Sequence, residues 1–157
     1  MASVEIANLK TYSDIFTPQH LNVSGIVGLR EENERNDVML IKALLFLNEQ
    51  NKDVSDAKYW GSSRIDLIDL PEINGILDIE TMQAIWGFQR RNASSLLSTD
   101  GKIHPASYKN RLIKNSFGAK LMSITLLNKQ AYHAPIYLGV DNLEQAVRKI
   151  APTIRFT

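Results

Sequence analysis

The chain contains no cysteine, which excludes a disulfide framework, a thiolate metal site and a cysteine nucleophile. Histidine is scarce. His20, His104 and His133 are the only three, with no His-Glu-x-x-His and no metal-ligand spacing among them. There is no Gly-rich phosphate loop and no Gly-x-Ser-x-Gly elbow. No apolar run approaches the roughly 20 residues of a membrane span. The opening residues, Met1 to Asn8, lack the basic and apolar regions of a secretory signal. An excess of one charge is also missing: the net charge of +1 argues against nucleic acid as the main partner.

What is present is a soluble, cored composition, 44% hydrophobic and 22% charged over 157 residues. That length suits one ordinary domain or a small domain with substantial flanks. Residues 113–157 carry six basic and two acidic groups, read here as a solvated face in preference to an anion-binding surface.

Residues 1–36 carry few regular signals. Val4 to Leu9 alternates as a short strand would, and Asn22 to Gly28 reads as loop. This segment is expected to wrap the core. Asp37 to Leu47 reads as a helix N-capped by Asp37 and apolar on more than one face, so central to a bundle. A long connection follows over 49–73, in which Tyr59 and Trp60 stand beside Gly61-Ser62-Ser63. These two aromatics either form a stacking platform for a sugar or peptide, or cover the end of the bundle.

The stretch Asn74 to Gln89 combines a turn, Asn74-Gly75, a capping residue, Asp78, and an amphipathic helix carrying Ile79, Met82, Ile85, Trp86 and Phe88. Trp86 and Phe88 lie two apart, so one is core and the other borders it. Arg90 and Arg91 close the helix, where cations suit its dipole. The turn recurs 26 residues later as Asp100-Gly101, followed by His104 and Pro105 and by a short helix through Tyr108, Leu112 and Ile113. Both turns read [Asn/Asp]-Gly-x-[Leu/Ile]-x-x-x-[Thr/Ser], ending at Thr81 and Ser107. The side chains of Thr81 and Ser107 are expected to tie turn to helix by local hydrogen bonds.

Beyond this, Phe117 to Leu127 fits a helix or a strand equally well, and Ala134 to Val140 reads as extended. Asp141 to Ile150 is a helix opened by an Asp141/Glu144 capping box, and Thr153 to Phe156 could form a terminal strand. The flanks can thus add a small β element.

A helix followed by two turn-plus-helix units resembles the peptidoglycan-binding domain-like family. The family pattern runs Asp-Val-x-x-Leu-Gln-x-Leu-Leu, then Asp-Gly-x-Phe-Gly-x-x-Thr-x-x-Ala-Val-x-x-Phe-Gln, then Asp-Gly-x-Val-Gly-x-x-Thr-Trp-x-x-Leu. The first part is matched by Asp37, Val38, Ile41, Leu44 and Leu45, with Lys42 in place of Gln. Asn74, Gly75, Leu77, Thr81, Ala84, Ile85, Phe88 and Gln89 match the second. Asp100, Gly101, Ile103, Ser107, Tyr108 and Leu112 follow the third. Asp78 and His104 stand where the pattern has turn glycines.

The resemblance covers residues 36–113 and implies a mainly α, three-helix bundle with an insertion at 49–73. It leaves 1–35 as an N-terminal extension and 114–157 as a C-terminal extension packed on the same domain. It further implies a non-catalytic module that binds bacterial peptidoglycan, by its glycan or its stem peptide. The candidate groove comprises Tyr59, Trp60, Trp86, Arg90, Asp100, Gly101, His104 and Tyr108. No cofactor, metal, nucleic acid or membrane span is expected. Two alternatives stand beside this reading. One is an adaptor of a bacterial secretion or phage-type apparatus, meeting a protein partner through 49–73 or 114–157. The other is a small cell-wall hydrolase. The place of action is the periplasm or wall if export proceeds without a classical signal, and otherwise the cytoplasm.

Overall fold

The computed structural model describes residues 2–6, 19–54, 73–106, 120–131 and 133–157. They build a mainly α fold with one small two-stranded sheet. Helix α1, Arg35–Val54, lies at its centre. Val38, Met39, Leu40, Ile41, Ala43, Leu44 and Leu47 are all fully buried, so the helix is packed on several sides, as its apolar run demands.

The start of α1 differs from expectation. Glu34 caps it: its Oε2 accepts from Asp37 N at 3.1 Å. Asp37 lies inside the first turn and is fully buried. Its carboxylate accepts instead from Ser24 N (3.0 Å), Ser24 Oγ (2.8 Å) and Gly25 N (2.9 Å). A buried carboxylate needs such partners, and these three tie the segment before the helix to the helix itself.

That segment does not merely wrap the core. Strand β1, Ser3–Ile6, pairs antiparallel with β2, Gln19–Asn22, in the register Ser3 to Asn22 and Val4 to Leu21. Leu21, Val23 and Val27 are buried members of the core. Side-chain amides then sew β2 to distant chain. Asn128 Oδ1 accepts from Leu21 N and Asn128 Nδ2 donates to Leu21 O, at 2.8 and 2.9 Å. Asn22 makes the same two-way exchange with the backbone of Ala106.

Helix α2, Ile79–Arg91, is capped by Asp78, whose Oδ1 accepts from Thr81 N at 2.8 Å and from the Thr81 hydroxyl. Ile85, Phe88 and Gln89 face inward. Trp86 stays half exposed, so Phe88 is the core aromatic of the pair. Ile79 is also exposed, because it is the first residue after the cap and stands at the solvent end of the helix.

The C-terminal part supplies three more helices. The ambiguous stretch forms α3, Ser123–Gln130, in its later part, with Ser123 to Asn128 all buried, while Phe117 lies outside the described residues. Residues Ala134–Leu138, expected to be extended, form the short helix α4. Pro135 sits in its first turn, where a missing N–H is harmless, and Gly139 ends it at φ 68°. Helix α5, Leu143–Ile150, buries Leu143, Ala146, Val147 and Ile150. Its cap is Asn142, which accepts from Gln145 N at 2.9 Å, and not the expected Asp141/Glu144 box. Thr153 to Phe156 form no strand; the C-terminus meets the residue before β1, with Thr157 N donating to Ala2 O at 3.0 Å. The short helix expected after Pro105 falls outside the described residues. Among the described residues no helix is long and apolar enough to cross a membrane.

Two helix–turn units are built alike. Val38, Ile41 and Lys42 in α1 recur in spacing as Ile85, Phe88 and Gln89 in α2, and both apolar pairs are buried. Each helix sends its polar side chain to the Asx-Gly turn that follows. Lys42 Nζ reaches Asn74 Oδ1 at 2.7 Å, and Gln89 Oε1 accepts from Gly101 N at 2.7 Å. Each turn is closed by its own first residue: Ile76 N donates to Asn74 Oδ1, and Lys102 N to Asp100 Oδ1. Both glycines sit where a Cβ would collide, on Gly75 2.1 Å from Arg35 Cγ, but only Gly101 also adopts a left-handed backbone, at φ 78°.

Candidate functional site

The second turn is the better candidate for a site, because it presents an aromatic surface on rigid backbone. Gln89, fully buried, holds it from below. Besides accepting from Gly101 N, its Nε2 donates to Lys102 O (2.8 Å) and Ser123 Oγ (3.0 Å). Ile103 locks the next step through a two-way backbone exchange with Val27, at 2.9 and 2.8 Å. Such a loop has its backbone groups satisfied and its geometry over-determined.

On this support stands Trp86. Its indole packs on Gly101 so tightly that a Cβ there would lie 2.6 Å from Cε2 and 2.7 Å from Nε1. Glycine at 101 therefore answers two demands, a left-handed backbone and the approach of a ring. Trp86 is 49% exposed, which leaves apolar area for a ligand.

Beside it, Asp100 Oδ2 and His104 Nε2 lie 2.8 Å apart. Partial burial pushes the Asp100 carboxyl up, but the hydrogen bonds from His104 and from Lys102 N outweigh it and hold the group below its ordinary range. The carboxylate is thus charged and already oriented. Arg90 lies one helical turn beyond Trp86 and is exposed.

Of the sequence candidates, Trp86, Asp100, Gly101 and His104 come together, and Arg90 lies one turn from Trp86 along α2. Tyr59, Trp60, Ser107 and Tyr108 lie outside the described residues. Among the turn residues, Asn74, Gly75, Asp78 and Thr81 fulfil structural roles, with Lys42 Nζ also 3.1 Å from Asp78 Oδ2. At Asp78 hydrogen bonding outweighs burial, which alone would push the carboxyl up. The hydrogen bonds from the Thr81 side chain and backbone, with help from Lys42, lower its carboxyl to about 2.

Sequence reasoning missed Gln89 as the residue that fixes the platform. The signal was available in its position at the end of a buried helix face, where an uncharged amide must find partners. It also missed the exposure of Ile76 and Ile79 beside the first turn. Among the described residues no group of three or more His, Asp or Glu side chains is arranged to hold a metal ion. Comparison with models of known protein families, with curated proteins and with solved structures found no match to this chain.

Proposed function

We propose that this protein is a non-catalytic module that binds bacterial peptidoglycan through the Trp86–Gly101 platform. The observation that carries the reading is the half-exposed Trp86, its indole held on a glycine in a left-handed turn. A sugar ring or stem-peptide carbon chain packs on the indole face, and nearby polar groups orient it. Asp100 accepts from hydroxyl or amide groups, His104 keeps Asp100 in place, and Arg90 meets a carboxylate. Tyr59, Trp60 and Tyr108 belong to the proposal as further aromatic contributors. The sequence resemblance over 36–113 supports the same ligand class.

Co-sedimentation of the purified protein with insoluble peptidoglycan tests it. Binding is expected to survive moderate salt, since contact with an aromatic face is not screened as an ionic attraction is. Trp86→Ala should weaken binding about tenfold or more, the loss of one well-placed aromatic contact. Sacculi suspended with the protein should keep their turbidity. Wild-type protein that fails to sediment overturns the function; a Trp86→Ala variant that binds normally overturns the site.

A further inference from the structure

A second concavity lies on another side of α2, where α1, α2 and α3 diverge, with a volume of about 680 Å³. That is within the range of small-ligand and peptide sites, roughly 300–1,000 Å³. Leu45, Ala84, Phe88 and Leu126 form its apolar floor. It is open because α2 presents small side chains there, Ala84 and Gly87, one turn apart.

Its polar groups are unevenly satisfied. Asn48 donates through Nδ2 to Leu44 O (2.7 Å) and Leu127 O (3.2 Å). These two carbonyls fix the orientation of the amide, and Oδ1 is left buried with no hydrogen bond. That oxygen is closed off from the groove, so Asn48 shapes the wall and offers a ligand no acceptor. Among the described residues, Arg91 and Lys129 stand at the rim against one acid, Glu49, which has a further interaction of its own. Arg91 lies 3.4 Å from Glu49, with both side chains about half exposed; such a pair is weak and readily exchanged. Lys129 has no ion-pair partner among the described residues.

We propose that this groove docks an extended acidic peptide segment of a protein partner. An aliphatic side chain packs on the floor, and a carboxylate meets Lys129 and Arg91. The excess of cations over acid at the rim selects the charge of the partner. This site is independent of the wall-binding platform, since Trp86 takes no part in it.

The test uses the full ¹⁵N-labelled chain and two probe peptides: acetyl-Leu-Ala-Leu-Asp with a free carboxylate, and its neutral counterpart acetyl-Leu-Ala-Leu-Asn-amide. The acidic peptide is expected to move the resonances of Ala84, Gly87, Lys129 and the Asn48 side-chain amide in a saturable way. The neutral peptide, and the acidic peptide on a Lys129→Glu variant, should bind at least about fivefold more weakly, as loss of a charge contact implies. Ala84→Leu, which fills the floor, should abolish the shifts. Trp86→Ala should leave them unchanged, which separates this proposal from the wall-binding one. Lys129→Glu is a substitution at an exposed position, so the test stands even if Ala84→Leu perturbs folding. Absence of shifts, equal binding of the neutral peptide, or shifts at these positions with a soluble muropeptide in place of the L-peptide would each overturn the proposal.

Discussion

The Trp86 indole and Gly101 are mutually dependent: the ring occupies the space in which any side chain at 101 would have to stand. Gly101→Ala meets two penalties. The left-handed backbone alone costs about 1–2 kcal/mol for a residue with a Cβ, and the ring must also move. Urea unfolding should show a loss of at least that size, and the indole N–H resonance of Trp86 should shift. A variant with unchanged stability and an unmoved indole would mean that the turn relaxes freely and that the platform is not rigid.

Gln89 and Lys42 occupy equivalent positions in the two helix–turn units, yet their substitutions should differ in cost. Gln89→Leu strands the Gly101 N–H and the Lys102 carbonyl in a buried place, a loss of about 2–4 kcal/mol for two unsatisfied groups. Lys42→Met breaks contacts to Asn74 and Asp78, which are partly open to water, so about 1 kcal/mol or less is expected. Denaturant midpoints of the two variants, compared at equal slope, check the order. The reverse order would contradict the view that Gln89 is the keystone of the second turn.

The regular features of this pattern were legible in sequence because they are local. Asp78 could be read as a cap from its place before an amphipathic run, and Trp86 and Phe88 as one core and one bordering aromatic, without saying which was which. Asp37 misled for an informative reason. It has the right residue type for a cap, but its carboxylate is used by Ser24 and Gly25, a tertiary choice that no window around residue 37 contains. The same holds for Ala134–Leu138, where a proline and a β-branched isoleucine resemble an extended segment until tertiary packing buries Ala134, Tyr137 and Leu138. At the candidate site, Gly101 could be read from the turn motif. The ring resting on it could not, because Trp86 and Gly101 meet only once α2 and the loop have folded back together.

Asp78 offers a direct check on the first unit. Its carboxyl is lowered to about 2, first by the Thr81 hydroxyl and amide and less by Lys42. Thr81→Ala should therefore raise the Asp78 pKa more than Lys42→Met does, as read by carboxyl ¹³C shifts over an acid titration. A depressed carboxyl stabilises the fold above its unfolded pKa and loses that contribution as pH falls through the folded one. Replacing the cap outright, Asp78→Ala, should cost about 1 kcal/mol at neutral pH. A larger response to Lys42→Met than to Thr81→Ala would assign the shift to Lys42 and not to the cap.

His20 governs a different pH window. It lies buried on β2, with Nε2 3.2 Å from Thr125 Oγ1 and Nδ1 buried without a partner. Burial lowers its pKa from 6.5 to about 4. Between these values the unfolded chain binds a proton that the folded chain refuses, so stability must fall as pH falls. From about pH 7 to about pH 5 the loss due to this one group is roughly 2 kcal/mol. His20→Gln can keep a bond to Thr125 and cannot titrate, so its stability should change less with pH over that interval, whatever its absolute value. The difference between the two slopes removes every contribution that both proteins share. The Asp78 carboxyl titrates below the interval and adds nothing to it. Parallel slopes for wild type and His20→Gln would mean that the folded protein accepts a proton at His20 readily, and that the unpartnered Nδ1 is reached by water.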